Sequence, residues 1–223
     1  FTNEYDVVIL DECFMLSDEN RGKSWLKTIV EAKCKKMYLI TSDEGLFILE
    51  TILKNLNRTY NVKRHKRLSP VVFSDSNYKL NDIKDKTVFI TFSRVDVLYQ
   101  KALLEKKGYN VSVLYGNLPP EVKKEQIRKF VNGENNICVS TDVIGMGVNL
   151  PCDHIVFLSN TKFDGKKQRE LTATEIKQIG GRAGRYGLSE EGKVWAYGFN
   201  KEKFKTKFYS KPISIMKTFL PIN

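Results

Sequence analysis

Tyr5-Asp-Val-Val-Ile-Leu-Asp-Glu12 is the stretch on which the reading of this chain turns. Its first six residues form a nearly continuous apolar run, which predicts a short, buried parallel strand. Asp11 and Glu12 then fall at that strand's C-terminal end, the edge where open α/β sheets place ligand chemistry. A carboxylate there can hold the magnesium of a nucleotide, and its neighbour can orient or activate the attacking water. An acidic loop after a strand is equally ordinary, so the pair needs support from the rest of the chain.

Moving outward, Gly22-Lys23-Ser24 imitates part of a phosphate-binding loop. The full motif needs an earlier glycine after a strand, but Ser17 occupies that position and no strand precedes it. Residues 24–32 therefore read as a helix, and no phosphate-binding loop occurs in the 223 residues. Lys36 to Ile40 predicts a second buried strand. It ends in Thr41-Ser42, whose hydroxyls suit either coupling to a nucleotide or a plain strand-end turn. Gly45 to Leu56 reads as a helix with Leu46, Leu49, Ile52, Leu53 and Leu56 apolar. Lys63 to Arg67 is a basic cluster, read as a solvated charge run beside a linker. His65 and His154 have no ligand partners in the sequence and are expected at the surface or a sheet edge.

A second α/β series starts near Thr87. Val88–Phe92, Asn110–Leu114, Asn136–Ser140, His154–Ser159 and Gly192–Tyr197 predict strands. A helix over residues 95–107, closed by Gly108, follows the first of them. Another follows Pro119-Pro120, where proline suits a first helical turn because its missing N–H was an orphan anyway. Thr141-Asp142-Val-Ile-Gly145-Met-Gly147-Val-Asn149 follows a strand with a hydroxyl, an acid and two glycines, a polar loop that favours a functional reading. Residues 173–183 predict a helix running into Gln178-Ile-Gly-Gly-Arg-Ala-Gly-Arg-Tyr-Gly187. In a continuing helix Gln178, Arg182 and Arg185 would share one face. Each glycine among them costs about 1 kcal/mol against alanine, so close approach of a backbone or a ligand is expected there. Guanidinium forks on such a surface suit a polyphosphate.

The formal charge of +11 (37 basic, 26 acidic residues) points to an anionic partner such as nucleic acid. The 41% hydrophobic content allows real cores. Cys13, Cys34, Cys138 and Cys152 lack metal-ligand spacing and a disulfide pattern, so reduced and mostly buried thiols are expected. There is no apolar run of about 18 residues to span a membrane. The chain starts at Phe1 and enters a strand almost at once, so it reads as a piece of something longer. A cytoplasmic protein is the expectation, with an organelle left open.

Asp11-Glu12, Thr41-Ser42, Phe92-Ser93-Arg94, the loop from Ser140 to Leu150 and Gln178-x-x-Gly-Arg-Ala-Gly-Arg185 occur in one order. In that order they resemble motifs II to VI of superfamily 2 helicases. The likeness extends to one branch, the RNA helicase of the mitochondrial degradosome and its bacterial relatives. It does so through Asp18, Arg21-Gly22, Trp25, Arg67-Leu68-Ser69-Pro70 and Tyr115-Gly116-Asn117-Leu118-Pro119-Pro120-Glu121. It covers roughly residues 5 to 197. Cys13-Phe14 replace polar residues common in that branch, and Thr41-Ser42-Asp43 is not its usual third motif.

The resemblance implies an α/β fold of RecA-like parallel sheets flanked by helices, a partial first lobe plus a complete second. Residues 1–68 would be the C-terminal part of the first domain, 69–78 a linker, 79–199 the second domain, and 200–223 the start of a further region. It implies that Asp11 coordinates Mg2+ through ATP and that Glu12 activates water. Thr41 and Ser42 would couple hydrolysis to closure, with Gln178, Arg182 and Arg185 at the γ-phosphate. Gly147 and Asn149 would face the nucleotide, while Ser93, Arg94, Gly116 and Thr141 would serve the nucleic-acid backbone. The implied activity is an ATP-dependent RNA helicase in RNA turnover, with RNA and an exoribonuclease as partners. A DNA helicase on the same chassis and a non-enzymatic nucleic-acid-binding module stay open as alternatives.

Overall fold

The computed structural model describes residues 3–19, 21–145, 147–184, 191–211 and 213–218. These divide into two units: the described parts of Phe1–His65 and Lys211–Asn223, and those of Lys66–Ser210.

The first unit pairs β1 (Glu4–Leu10) with β2 (Lys33–Leu39) in parallel, in a register that sets Leu10 opposite Leu39. Parallel strands need a long crossover, here a 3-10 turn (Cys13–Ser17) and α1 (Gly22–Glu31), with α2 (Asp43–Asn55) following β2. Cys13, Leu16, Leu26, Ile29, Ile48, Leu49 and Ile52 form the core, with Leu10 and Leu39 packed on it. The strands are where the apolar runs predict them, yet β1 is not buried. Its Tyr5, Val7 and Ile9 are exposed, Ile9 at 66%. Side chains alternate across a strand, and the core takes only the side bearing Leu10 and Leu39. Among the described residues the other face is uncovered. Residues 213–218, expected to open a further region, lie on this unit instead. The Ile215 N–H donates to Glu44 O (2.8 Å) and Thr218 Oγ1 to Leu16 O (3.0 Å).

The second unit is built on a parallel sheet of β3 (Val71–Phe73), β4 (Thr87–Ile90), β5 (Val111–Leu114), β6 (Ile137–Ser140), β7 (His154–Phe157) and β10 (Gly192–Ala196). Their order is β3-β10-β7-β4-β6-β5, every neighbouring pair parallel. All four residues of β4, β5 and β6 are buried, as expected of strands covered on both faces. One face packs Val88, Ile90, Phe157, Ile176 and Phe208, the other Phe89, Val111, Val139 and Trp195. Helices α3 (Arg94–Lys106), α4 (Pro120–Val131), α5 (Ala173–Gly180) and α6 (Lys201–Tyr209) flank the sheet, and β8 (Thr161–Phe163) and β9 (Gln168–Glu170) form an antiparallel hairpin. The RecA-like α/β expectation therefore holds.

Two parts depart from the sequence reading. Residues 71–73, inside the expected linker, form an edge strand: Gly192 N–H donates to Pro70 O (2.8 Å) and Ser74 N–H to Val194 O (2.8 Å). Helix α6 belongs to this unit through its buried Phe204 and Phe208, which pack against Phe73 at 6.1 and 5.9 Å between ring centroids.

Candidate nucleotide and nucleic-acid site

Asp11 and Glu12 leave the end of β1 with a distorted backbone. Glu12 sits in the left-handed region (φ 55°, ψ 40°), a conformation costing a non-glycine residue about 1 kcal/mol or more and clustering at functional positions. Its N–H bonds Asp11 Oδ1 (2.7 Å), and Trp25 Nε1 donates to Asp11 O (2.8 Å). Asp11 is exposed and Glu12 half-buried. The Ile40 N–H donates to Leu10 O and the Cys13 N–H to Ile40 O, both 2.9 Å. These bonds hold the acid pair beside Thr41-Ser42 at one sheet edge. Thr41 Oγ1 is buried with no hydrogen-bond partner. A Cβ on Gly45 would approach it to 2.2 Å, so only glycine leaves the hydroxyl its place. Ser42 Oγ donates to Glu44 Oε1 (3.2 Å).

Cys13, one of the two departures from the branch pattern, is fully buried and donates its S–H to Leu10 O (3.2 Å). Burial pushes its thiol up to about 12, with the charges of Asp11 and Glu12 adding to the rise and the Ile40 hydrogen bond opposing it. It is a neutral core side chain. Phe14 is buried as well.

On the second unit the parallel strands deliver their loops to one edge. Ser93 caps α3: its Oγ accepts from Asp96 N–H (3.0 Å) and donates to Asp96 Oδ2 (2.7 Å). The Arg94 guanidinium lies over the Tyr115 ring at 5.5 Å, which joins the β4 and β5 loops by a cation–π contact. Gly116 has open space around it. Thr141 is 8% exposed and its Oγ1 accepts from Val143 N–H (3.4 Å), so little of it faces solvent. Gly147 (φ +69°) and Asn149 are exposed further along this loop.

The helix does not run on through the glycine-rich motif to residue 183 but ends within it. Helix α5 starts with a capping box, Thr172 with Glu175, and ends at Gly180. Arg182 follows in a turn, so it does not continue the helical face of Gln178, and Arg185 lies outside the described residues. The glycines serve backbone approach. A Cβ on Gly192 would meet the Ala183 carbonyl carbon at 2.3 Å, and Gly184 takes φ +88° one residue beyond. The Gly184 N–H donates to Cys152 O (2.8 Å), which draws the turn onto the sheet. Within it, Arg182 Nη2 donates to Gly145 O (2.7 Å). A Cβ on Gly145 would touch Ile179 Cγ1 at 3.4 Å and Gln178 Cβ at 3.9 Å. Gln178, Arg182 and the loop from Thr141 to Asn149 therefore form one cluster, while Asp11, Glu12, Thr41 and Ser42 form another on the first unit.

Supporting residues that the sequence reading did not single out surround the second cluster. Lys162 Nζ bridges Asp142 Oδ2 (2.5 Å) and Glu175 Oε1 (3.1 Å). Arg169 Nη1 and Nη2 reach the two oxygens of Glu175 at 2.8 and 2.9 Å. Desolvation alone would raise the Glu175 carboxyl, but Arg169, the Thr172 N–H and Lys162 outweigh it and hold it down to about 2. The sequence signal that was available is Thr172-x-x-Glu175, a capping-box pattern. Arg67, placed by the sequence in a solvated charge run, instead directs its guanidinium at backbone carbonyls of the motif turn.

A parallel sheet with its polar loops on one edge and a glycine-arginine turn beside it is a RecA-like lobe of the kind superfamily 2 helicases use. The chain belongs to the helicase conserved C-terminal domain family, which it matches over residues 72–187. Residues 1–65 match the DEXQ-box helicase domain of Suv3. The chain is 34% identical, over 96% of its length, to the mitochondrial ATP-dependent RNA helicase SUV3 of Saccharomyces paradoxus. It is 36% identical, over 83% of its length, to the mitochondrial DExH-box ATP-dependent RNA helicase DExH16 of Arabidopsis thaliana. It spans 30% and 33% of those relatives' lengths. Among solved structures it is similar in fold to S. cerevisiae Dbp5 bound to RNA and ADP BeF3. There the TM-score is 0.63 at 16% identity, covering 94% of this chain and 59% of that one. Among the described residues no helix is long and apolar enough to cross a membrane, and no group of acidic, Cys and His side chains forms a metal cluster.

Proposed function

We propose that the protein to which this chain belongs is an ATP-dependent RNA helicase that couples ATP hydrolysis to movement on, or unwinding of, RNA in RNA turnover. The observation that carries this reading is the bond from Arg182 to Gly145 O, which gathers Gln178, Arg182 and the glycine loop into one cluster at the edge of a parallel sheet. The printed names of the relatives supply the activity, the substrate and a mitochondrial location for this proposal.

The donor set on the first unit fits Mg2+, which is bound through one or two carboxylates together with substrate phosphates and water. Asp11 offers an exposed carboxylate at the strand end, and the left-handed backbone at Glu12 is the kind of strain that clusters at functional positions. When bound, the metal supplies charge neutralisation on the transferring phosphoryl group. In this reading Asp11 would hold the ion and Glu12 would accept a proton from the attacking water. Thr41 and Ser42 would couple hydrolysis to closure, and Gln178, Arg182 and Arg185 would stabilise the γ-phosphoryl charge. Gly147 and Asn149 face the nucleotide. Ser93, Arg94, Gly116 and Thr141 follow the nucleic-acid backbone, although the buried Thr141 would reach it only if its loop moves. The first unit acts as one lobe and Lys66–Ser210 as the other, and an exoribonuclease is the expected protein partner.

The test is strand displacement by the full-length protein with ATP and Mg2+, on matched RNA and DNA duplexes that differ in the 2′-hydroxyl. RNA duplexes should be separated and DNA duplexes separated poorly or not at all. ATP-independent binding without displacement would make this a nucleic-acid-binding module, and preferred displacement of DNA would make it a DNA helicase. Residues 1–223 alone, which contain no phosphate-binding loop, should show no RNA-stimulated ATP hydrolysis.

A further inference from the structure

The structure assigns Arg67 a positioning role: it clamps the exit turn of α5 and so sets the direction of the Arg182 side chain. Its Nε donates to Ser69 O at 2.5 Å, its Nη1 to Gly181 O, and its Nη2 to Ala183 O at 2.5 Å and Gly184 O at 3.4 Å. The last carbonyls of a helix have no partner within it, and a cation is favoured at that end of the dipole. Here the helix ends at Gly180, and the carbonyls just beyond it are the ones Arg67 collects. Apart from the buried Ala183, residues 181–184 have little apolar packing to define them, because two of the four are glycine and the turn sits backbone to backbone on Gly192. A planar fork that spans three carbonyls at once replaces that packing, which a compact ammonium cannot do.

Two further observations separate this role from a phosphate contact. The guanidinium's donors are already committed to four carbonyls, which leaves little capacity for a ligand. Arg67 is exposed as a residue, but partial desolvation of its guanidinium, opposed by Cys152 and reinforced by the charge of Arg182, lowers its pKa, which puts it beside a second guanidinium. Arg67 reaches the turn from outside it, so two like charges meet there with the carbonyls of Gly181, Ala183 and Gly184 engaged by one of them. Arg67 also lies two residues after His65, where the first unit gives way to the second. Within the second unit, Arg67 is thus tied directly to the turn bearing Arg182, and through Arg182 Nη2 to Gly145 O of the neighbouring loop.

This inference rests on the helicase reading above, and its test separates the two. Full-length wild type, Arg67→Ala and Arg67→Lys are compared for RNA-stimulated ATP hydrolysis, RNA affinity and hydrogen exchange at the amides of Ala183 and Gly184. Misplacing a catalytic group by about 1 Å costs about 100-fold. Arg67→Ala should therefore lower kcat about 10- to 100-fold, leave KM for ATP and RNA affinity within about two-fold, and speed exchange at both amides. Arg67→Lys should recover part of kcat but not the exchange protection. If Arg67→Ala does not fold, Arg67→Lys decides by the same two readouts. Unchanged kcat, unchanged exchange, or a loss of RNA affinity at constant kcat each overturns the role. A wild type without RNA-stimulated hydrolysis overturns the helicase reading instead, and the exchange measurement still tests the clamp.

Discussion

Replacing Lys162 with Met keeps the side chain's length and removes the charge that joins Asp142 to Glu175. The Asp142 arm, 2.5 Å long, has a carboxylate 44% exposed, so solvent screens it to about 0.2–1 kcal/mol. The Glu175 arm, 3.1 Å long, joins two side chains that are each 20% exposed. Orphaning a buried charge costs about 3–5 kcal/mol, but Glu175 retains the Arg169 fork and the Thr172 N–H (2.9 Å). Its loss is therefore nearer 1 kcal/mol, and the total about 1–2 kcal/mol. For a unit of this size that lowers Tm by roughly 2–8 °C. Buried Trp195 reports on the second unit, and a Trp25→Phe background removes the signal from the first. A double-mutant cycle with Glu175→Gln should return a coupling of about 1 kcal/mol. A coupling below about 0.3 kcal/mol, within the error of additivity, would refute the idea that Lys162 stitches the hairpin loop to α5.

Acid should weaken the same region. The Glu175 carboxyl sits at about 2 in the folded protein against an ordinary 4.5, so its stabilisation is complete above pH 4.5 and disappears as pH falls through about 2. Glu175→Gln should flatten that part of the stability–pH curve measured by urea titration. Gly192→Ala should cost at least about 3 kcal/mol, because its Cβ meets backbone at 2.3 Å, whereas Gly116→Ala, in open space, should melt within a degree or two of wild type. Cys13 and Cys138 are buried, with thiol pKa values pushed up mainly by desolvation. In the native protein at pH 8 both should resist a disulfide-exchange reagent that modifies the half-buried Cys34. Early labelling of Cys13 would contradict its place in the core.

Much of this architecture was legible because burial on both faces demands continuous apolar runs. β4 through β7 lie within two residues of where Val88–Phe92, Asn110–Leu114, Asn136–Ser140 and His154–Ser159 predict them. Polar residues directly after such runs mark the loops of the sheet edge, which is why Asp11, Ser93 and Thr141 can be placed at strand ends from sequence. β3 escaped notice because three residues after a proline are too few for a period, and the β8–β9 hairpin because Thr161-Lys-Phe and Gln168-Arg-Glu offer no apolar alternation. The end of α5 was misjudged by three residues: sequence shows that three glycines cluster there but not which backbone they meet. Burial of β1 was overestimated because composition does not say how many faces are covered. Lys162 and the contacts of Arg67, which the sequence shows only as part of the Arg67-Leu68-Ser69-Pro70 likeness, were illegible for a related reason: their partners lie 13 to 20 and 114 to 117 positions away in the chain, beyond any local pattern.

The claim on which this account stands is that cationic side chains of the glycine-arginine turn act on the γ-phosphoryl group of an ATP whose metal and attacking water the carboxylate pair would serve. RNA-stimulated ATP hydrolysis by full-length protein carrying Arg182→Ala tests it most directly. The predicted result is a fall in kcat of about 10³-fold or more, with RNA affinity within about two-fold of wild type. Hydrolysis at near wild-type rate in that variant would contradict it.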